Sequence, residues 1–288
     1  MPRTAHDLTW PDLIWSHFSR PRFGGFDERV AAAAEAGFDA VGLYALEYQR
    51  MRQEEGRSAA DIRALVDHHG IVVAEIEVVR GWSDPPGEAS PQCTSLEEIA
   101  YEMADELGCC YLQAVGPYEG TVEDAARGFA ALCDRAAAHD LVVGIEFLPF
   151  TNIKTAADVD EILDLTDRPN AGCCVDIWHH VRGANDEDLI RALGGARIAA
   201  VQMNDGTIEP AMDDYYVDCL QSRVPPGEGE FDCVGFVQLL DGMGVRAPIA
   251  IEVCSAELWE APVDEAARRA ADGMRAVLAA AGVAKAGG

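Results

Sequence analysis

The chain reads as one (β/α)8 barrel spanning residues 1–288. Short apolar runs rich in β-branched residues alternate with amphipathic helical runs, and little chain is left over. Eight such pairs in 288 residues suit a closed barrel. The competing arrangement, a doubly wound sheet, would carry a glycine-rich first turn, and none follows Leu13–Ser16. The later strands end on oxygen-bearing side chains, which is where a barrel gathers its site.

Leu13–Ser16 opens the pattern, followed by a helix over Glu28–Ala36 that Gly37 stops. Ala40–Tyr44 is the second strand, and Ala59–His68 its helix, ended by Gly70. Ile71–Glu77 precedes the helix Leu96–Leu107, which Gly108 closes. Tyr111–Val115 leads into Val122–Ala138, with Thr121 as N-cap. Leu141–Glu146 is followed by Ala156–Leu165, capped by Thr155. Gly172–Asp176 leads to Glu187–Leu193, for which Asn185 is the expected cap. Ile198–Met203 leads to Asp232–Gly244, which begins on its own cap, Asp232. Pro248–Val253 and the helix Val263–Ala281 complete the set.

Composition bounds the function. The net charge is −28, and Lys154 and Lys285 are the chain's lysines. Such acidity works against nucleic acid and anionic membrane, which both need a cationic surface. No apolar run follows Met1-Pro2-Arg3-Thr4, so no signal peptide is expected, and none approaches the roughly 20 residues of a membrane span. The nine cysteines are odd in number and fit no zinc framework. Reduced thiols in a cytoplasmic protein follow as the expectation.

The strand ends carry the chemistry. Glu146, Asp176, Gln202 and Glu252 each close an apolar run. Buried strands have no use for a charge unless something pairs with it. The residues two positions earlier, Gly144, Cys174, Ala200 and Ala250, are all small, as expected if the layer beneath must leave room. Three carboxylates and an amide oxygen form a hard-oxygen set suited to one divalent ion, Mg²⁺ or Mn²⁺ ahead of Co²⁺ or Zn²⁺. Without a cation the carboxylates would repel one another. The bland alternative pairs each carboxylate with an arginine or a helix terminus.

These segments resemble the xylose isomerase-like TIM barrels, a family of sugar and polyol isomerases, epimerases and dehydratases with an endonuclease IV branch. The resemblance is carried by Gly-Ile-Glu146, Val-Asp176-Ile-Trp-His179, Val-Gln202-Met-Asn-Asp205, the run Pro226–Asp232 and Ile-Glu252-Val. It implies Glu146, Asp176 and Glu252 as metal ligands, with Gln202 where most epimerases place a histidine. It also implies Glu146 and Glu252 as the acid/base pair and His179 as a contact to a substrate oxygen. Arg223 is expected to reach over the metal from the loop after the seventh strand. His17, Glu75, Trp82 and Lys154 are further candidates for substrate contact, with Tyr44, Glu77, Arg80 and Asn152 beside them.

The implied activity is enolisation of a keto-sugar or polyol ketone, leading to epimerisation or isomerisation. Elimination, of the dehydroshikimate, inosose or 3-keto-glycoside kind, is the alternative, and Gln202 adds weight to it. A DNA phosphodiesterase would need three zinc ions and a histidine-rich ligand set, which the seven histidines do not supply. A non-catalytic partner subunit would show broken ligand geometry. The expected partner is a small carbohydrate or polyol, and self-association into a homo-oligomer stays open.

Overall fold

A computed structural model describes residues 3–84 and 91–285. In chain order it contains β1 (Leu13–Trp15), α1 (Phe26–Ala36), β2 (Ala40–Tyr44), α2 (Ala45–Gln53), α3 (Ala59–His69), β3 (Val72–Val79) and α4 (Pro91–Leu107). Next come β4 (Tyr111–Val115), α5 (Val122–Ala137), β5 (Val142–Glu146), α6 (Ala156–Thr166), β6 (Ala171–Asp176), α7 (Ile177–Arg182) and α8 (Glu187–Leu193). The chain ends with β7 (Ile198–Met203), α9 (Tyr215–Gln221), α10 (Cys233–Gly242), β8 (Ile249–Ile251), α11 (Ala256–Trp259) and α12 (Val263–Ala281).

The strands form a closed barrel in sequence order, and β8 pairs in parallel with β1. Strand residues alternate between two buried environments. Val41, Leu43, Val143, Ile145, Val175 and Val201 pack outward into the core shared with the helices. Their neighbours point into the barrel. The main helices are amphipathic and place one stripe on the sheet, as Phe129, Leu132 and Cys133 do in α5.

The helix boundaries follow their caps. Ser58 and Thr121 accept from the third amide of their helices, while Asp61 and Asp124 reciprocate. Gly37, Gly70 and Gly282 terminate helices in the left-handed region. At α8 the cap is Asp186 rather than Asn185, which takes φ 48° one residue earlier. Helices α2, α7, α9 and α11 were not expected from the sequence. They run four to nine residues and follow strand ends closely, too short to display a periodic stripe. Among the described residues no helix is long and apolar enough to cross a membrane. Among the described residues no cysteine forms a disulfide.

The layer beneath the strand ends departs from expectation. Gly144 does not leave room for a ligand, because the Tyr111 ring fills the space. A Cβ on Gly144 would sit 2.5 Å from Tyr111 Oη and 2.8 Å from the ring. Tyr111, Cys174 and Ala200 form a buried cluster that supports the site from below. Gly144→Ala should therefore destabilise the protein by about 1–3 kcal/mol. Combined with Tyr111→Leu, most of that added cost should disappear. Urea unfolding of the four proteins in a double-mutant cycle measures this, and additive costs would show that the two side chains do not compete for the same space.

Candidate metal centre at the barrel mouth

Glu146 ends β5, Asp176 ends β6, Gln202 lies one residue from the end of β7, and Glu252 follows β8 directly. Strand register pairs Asp176 with Gln202, while Glu146 and Gln202 lie opposite Cys174 and Ala250, two residues before Asp176 and Glu252. All four are buried. The structure thus gathers the four residues at the C-terminal end of one barrel.

Asp176 is fully engaged. Its Oδ1 accepts from the Trp178 amide and from Asn204 Nδ2, each at 2.8 Å, so the carboxylate also caps α7. Its Oδ2 accepts from Arg223 Nη1 at 2.8 Å. The same Nη1 donates to Glu252 Oε2 at 2.9 Å. Arg223 was expected to reach over the site, but the structure buries it between two of the carboxylates. Its Nε donates to the Cys219 carbonyl, and Nη2 lies 3.1 Å from Cys219 Sγ and 3.4 Å from His179 Nε2. All three guanidinium nitrogens thus face groups of the protein.

Glu146 is less committed. Gln113 Nε2 donates to its Oε2 at 2.6 Å, while Oε1 has no hydrogen-bond partner. Gln202 Nε2 points at Gln113 Oε1 (3.2 Å) and Glu252 Oε1 (3.3 Å), and Gln202 Oε1 has no partner. Buried oxygens without donors are costly, and a buried polar group is ordinarily bonded. Burial, reinforced by the charges of Glu252 and Asp176, pushes the Glu146 carboxyl well above the usual carboxylate range. Burial pushes Glu252 up to about 8 against the pull of Arg223. A divalent cation would answer both features, and the donor set fits one.

His179 comes closer than expected. Its Nε2 is 3.4 Å from Glu146 Oε1 and 3.7 Å from Asp176 Oδ2. One ligand atom each from Glu146, Asp176 and His179 falls within a 4.8 Å set. Burial lowers the imidazole to about 3, so it stays neutral and available as a ligand or hydrogen-bond partner. Its Nδ1 pairs with Tyr215 Oη at 3.0 Å.

The other candidates scatter. Glu75 lies inside the barrel beside Glu77, where both crowd the face of Gly42. Burial and mutual repulsion push Glu75 well above its ordinary value. His17 packs against Tyr44 and meets Arg29 Nη1 at 3.2 Å through Nδ1. Trp82 turns away from the mouth, with its ring edge-on to Phe129 of α5 and its indole N–H donated to the Val115 carbonyl. That placement replaces the expected substrate contact with a packing role. Asn152 spends its amide on both backbone groups of Tyr118. Lys154 lines an open cavity beside the site.

Gln113, Tyr215, Asn204 and Arg29 were not singled out from the sequence. Gln113 could have been, because a lone amide inside Tyr-Leu-Gln-Ala-Val carries the same signal that marked Gln202.

The chain matches the xylose isomerase-like TIM barrel family over residues 30–277 and belongs to it. It is 27% identical to a 3-dehydroshikimate dehydratase of Pseudomonas putida over 88% of its length, and spans 40% of that protein. It therefore covers well under two thirds of that relative's length. An inosose isomerase of Bacillus subtilis is 26% identical over 48% of this chain and 49% of its own. Among solved structures, the IOLI protein with a bound zinc atom superposes with a TM-score of 0.83, at 17% identity, over 93% of this chain and 98% of that one.

Arg223 makes a testable claim about the site without metal. Glu252 rises to about 8, from an ordinary value of about 4.3. Its ionisation therefore costs stability progressively as pH rises between those values. Arg223 offsets that cost. In chelator, Arg223→Met should lose about 3–5 kcal/mol at pH 8 and distinctly less at pH 5, read by urea unfolding. An equal loss at both pH values would exclude charge pairing as the reason.

Proposed function

We propose that the chain is a divalent-metal-dependent enzyme that enolises a small hydroxylated ketone and expels a β-hydroxyl as water. One observation supports the metal-assisted part: Glu146, Asp176 and His179 each bring a ligand atom into a 4.8 Å set, with Glu146 Oε1 and Gln202 Oε1 buried and unpartnered beside it. Glu146, Asp176, Gln202 and Glu252 would hold the ion, with His179 Nε2 beside it. When bound, a divalent ion supplies Lewis-acid polarisation of the substrate ketone.

The side chains supply the rest. Glu146, whose Oε2 accepts from the neutral Gln113 amide, is the candidate to take the proton next to the carbonyl. The C–H electron pair moves into the enolate, and its return expels the β-oxygen, which leaves as water after gaining a proton. Glu252 is the candidate donor. His179, held by Tyr215, is placed to hydrogen-bond a substrate oxygen. The buried setting keeps bulk water from quenching the enolate.

Elimination is preferred over epimerisation for two reasons. The match to the dehydratase covers 88% of this chain. The two glutamates are also unequal: Glu252 is tied to the Arg223 guanidinium while Glu146 Oε2 accepts from a neutral amide. An epimerase must reprotonate the opposite face with a second group of comparable reach. The isomerase or epimerase reading is kept as second, favoured by the likeness to an inosose isomerase.

Incubation with Mg²⁺ or Mn²⁺ in D2O and a panel of 3-dehydroshikimate, inosose and 3-keto-glycoside, followed by NMR, tests enolisation first and outcome second. Deuterium should enter next to the carbonyl, or an alkene should form with loss of water. Glu146→Gln should lower that rate by about 10²–10⁴-fold with an unchanged fold by circular dichroism. Near-normal exchange in the variant would remove Glu146 as the base.

The amide ligand has its own test. An amide oxygen suits hard ions and imidazole suits zinc. Gln202→His should shift relative affinity from Mg²⁺ and Mn²⁺ toward Co²⁺ and Zn²⁺, and Gln202→Ala should weaken binding of all four, both by calorimetry. Identical metal profiles for the three proteins would show that Gln202 does not coordinate.

A further inference from the structure

A cavity of about 530 Å³ opens at the barrel mouth over the ends of β3, β4 and β5. That is the size of an ordinary small-molecule site. It adjoins the candidate metal centre: Leu148 in its wall is two residues beyond Glu146, and the Phe150 ring stands edge-on to His179. Its polar wall consists of Arg80, Lys154, Thr151, Asn152 and Tyr216.

Among the described residues no carboxylate lines this cavity, although the chain has 50 acidic residues and a net charge of −28. Two cationic side chains do. Most arginines in the protein hold a carboxylate, as Arg135 holds Glu97, Arg168 holds Asp134, Arg197 holds Asp160 and Asp164, and Arg269 holds Glu228 and Glu257. The other lysine, Lys285, pairs with Asp12 and Asp39. Arg80 and Lys154 have no hydrogen bond or ion pair from their side chains among the described residues. Two unneutralised cations facing one cavity in so acidic a chain create a local positive potential that favours an anion. The Asn152 amide is spent on Tyr118, so it does not compete for them. Thr151 likewise gives its hydroxyl to the Leu148 carbonyl.

We infer that Arg80 and Lys154 form an anion subsite, and that the substrate of the adjoining centre is a hydroxylated ketone bearing a carboxylate. The inference rests on the proposed enolising function and narrows its substrate class. An arginine binds a carboxylate with two parallel donors, and a lysine adds a point charge. Phe150 and Tyr216, in ring contact with each other, give the carbon skeleton an apolar wall. The acid is held at the β3–β5 side while the ketone faces the ligand set. A neutral sugar would leave both cations unanswered.

The test compares 3-dehydroshikimate with its methyl ester, which keeps the ketone and hydroxyls and removes the charge, and includes a neutral inosose. Turnover is followed by deuterium uptake and by alkene formation, with Mg²⁺ or Mn²⁺ present. The acid should be processed with a KM at least tenfold below that of the ester. Arg80→Gln and Lys154→Gln should each raise KM for the acid by about 10–100-fold, as loss of a charge-assisted hydrogen bond does, with kcat changed less than threefold. Arg246→Gln, on the opposite face of the barrel, and Arg268→Gln, on the outer helix α12, control for general loss of positive charge and should change neither parameter. Equal handling of acid and ester, or variants indifferent to the acid, would overturn the anion subsite and leave the enolising centre standing. Turnover of the inosose in preference to the acid would do the same. Absence of both exchange and alkene formation with every compound would sink the enolising function itself, and the subsite with it.

Discussion

Buried negative charge is the constraint around which this barrel is organised. Glu75, Glu77, Glu146, Asp176 and Glu252 all lie inside the closed sheet with essentially no solvent contact. Arg223 and Arg29 are the guanidiniums buried with them. Arg223 links the ends of β6 and β8 by bonding Asp176 and Glu252 through one nitrogen. Arg29 enters from α1 and donates to the Trp15 and Gly42 carbonyls while facing the Glu75–Glu77 side. Two cations among five carboxylates leave a deficit that proton uptake or a bound cation must meet. Burial raises Glu75 and Glu146 far above their ordinary range for that reason.

The fold tolerates this arrangement because its apolar framework is complete elsewhere. The outward faces of the strands and the inward stripes of the helices close into one core, from Leu13 to Leu278. Glu146, Asp176, Gln202 and Glu252 sit at the strand ends, at the mouth. Asp176 is at once a strand end, the cap of α7 and the partner of Arg223, so one residue joins backbone termination to charge placement. Asp205 does similar work on the next strand. It receives the amides of Gly206, Gly227 and Phe231, which ties the end of β7 to the loop that follows Arg223.

This division explains what the sequence could reveal. The eight strands were legible because parallel barrel strands are buried on both faces and read as apolar runs. Glu146, Asp176, Gln202 and Glu252 were legible because an oxygen at the end of such a run contradicts its surroundings. Arg223 was noticed but placed wrongly, since sequence spacing cannot tell an arginine above a site from one threaded between its carboxylates. Tyr111 was missed because its function is to fill the gap left by Gly144, a relation between β4 and β5 that exists only after the strands pair. Trp82 looked like a mouth residue by position, but the chain turns it toward Phe129 on α5.

The asymmetry of the two glutamates follows from the same charge balance. Glu252 sits on the strand nearest Arg223 and therefore spends an oxygen on it, with Gln202 Nε2 against the other. Glu146, on the far side of Asp176 from β7 and β8, meets only the neutral amide of Gln113 and the neutral ring of His179. A carboxylate held by a guanidinium is a weaker base than one held by an amide, because the cation favours its charged form. On the proposed chemistry, Glu146 is then the stronger base, and the proton path has a direction. Gln202 preserves that direction, since an amide neither titrates nor competes for the proton. On the proposed chemistry, such a centre suits a reaction in which the abstracted proton need not return to the opposite face of the same carbon, and loss of water is such a reaction.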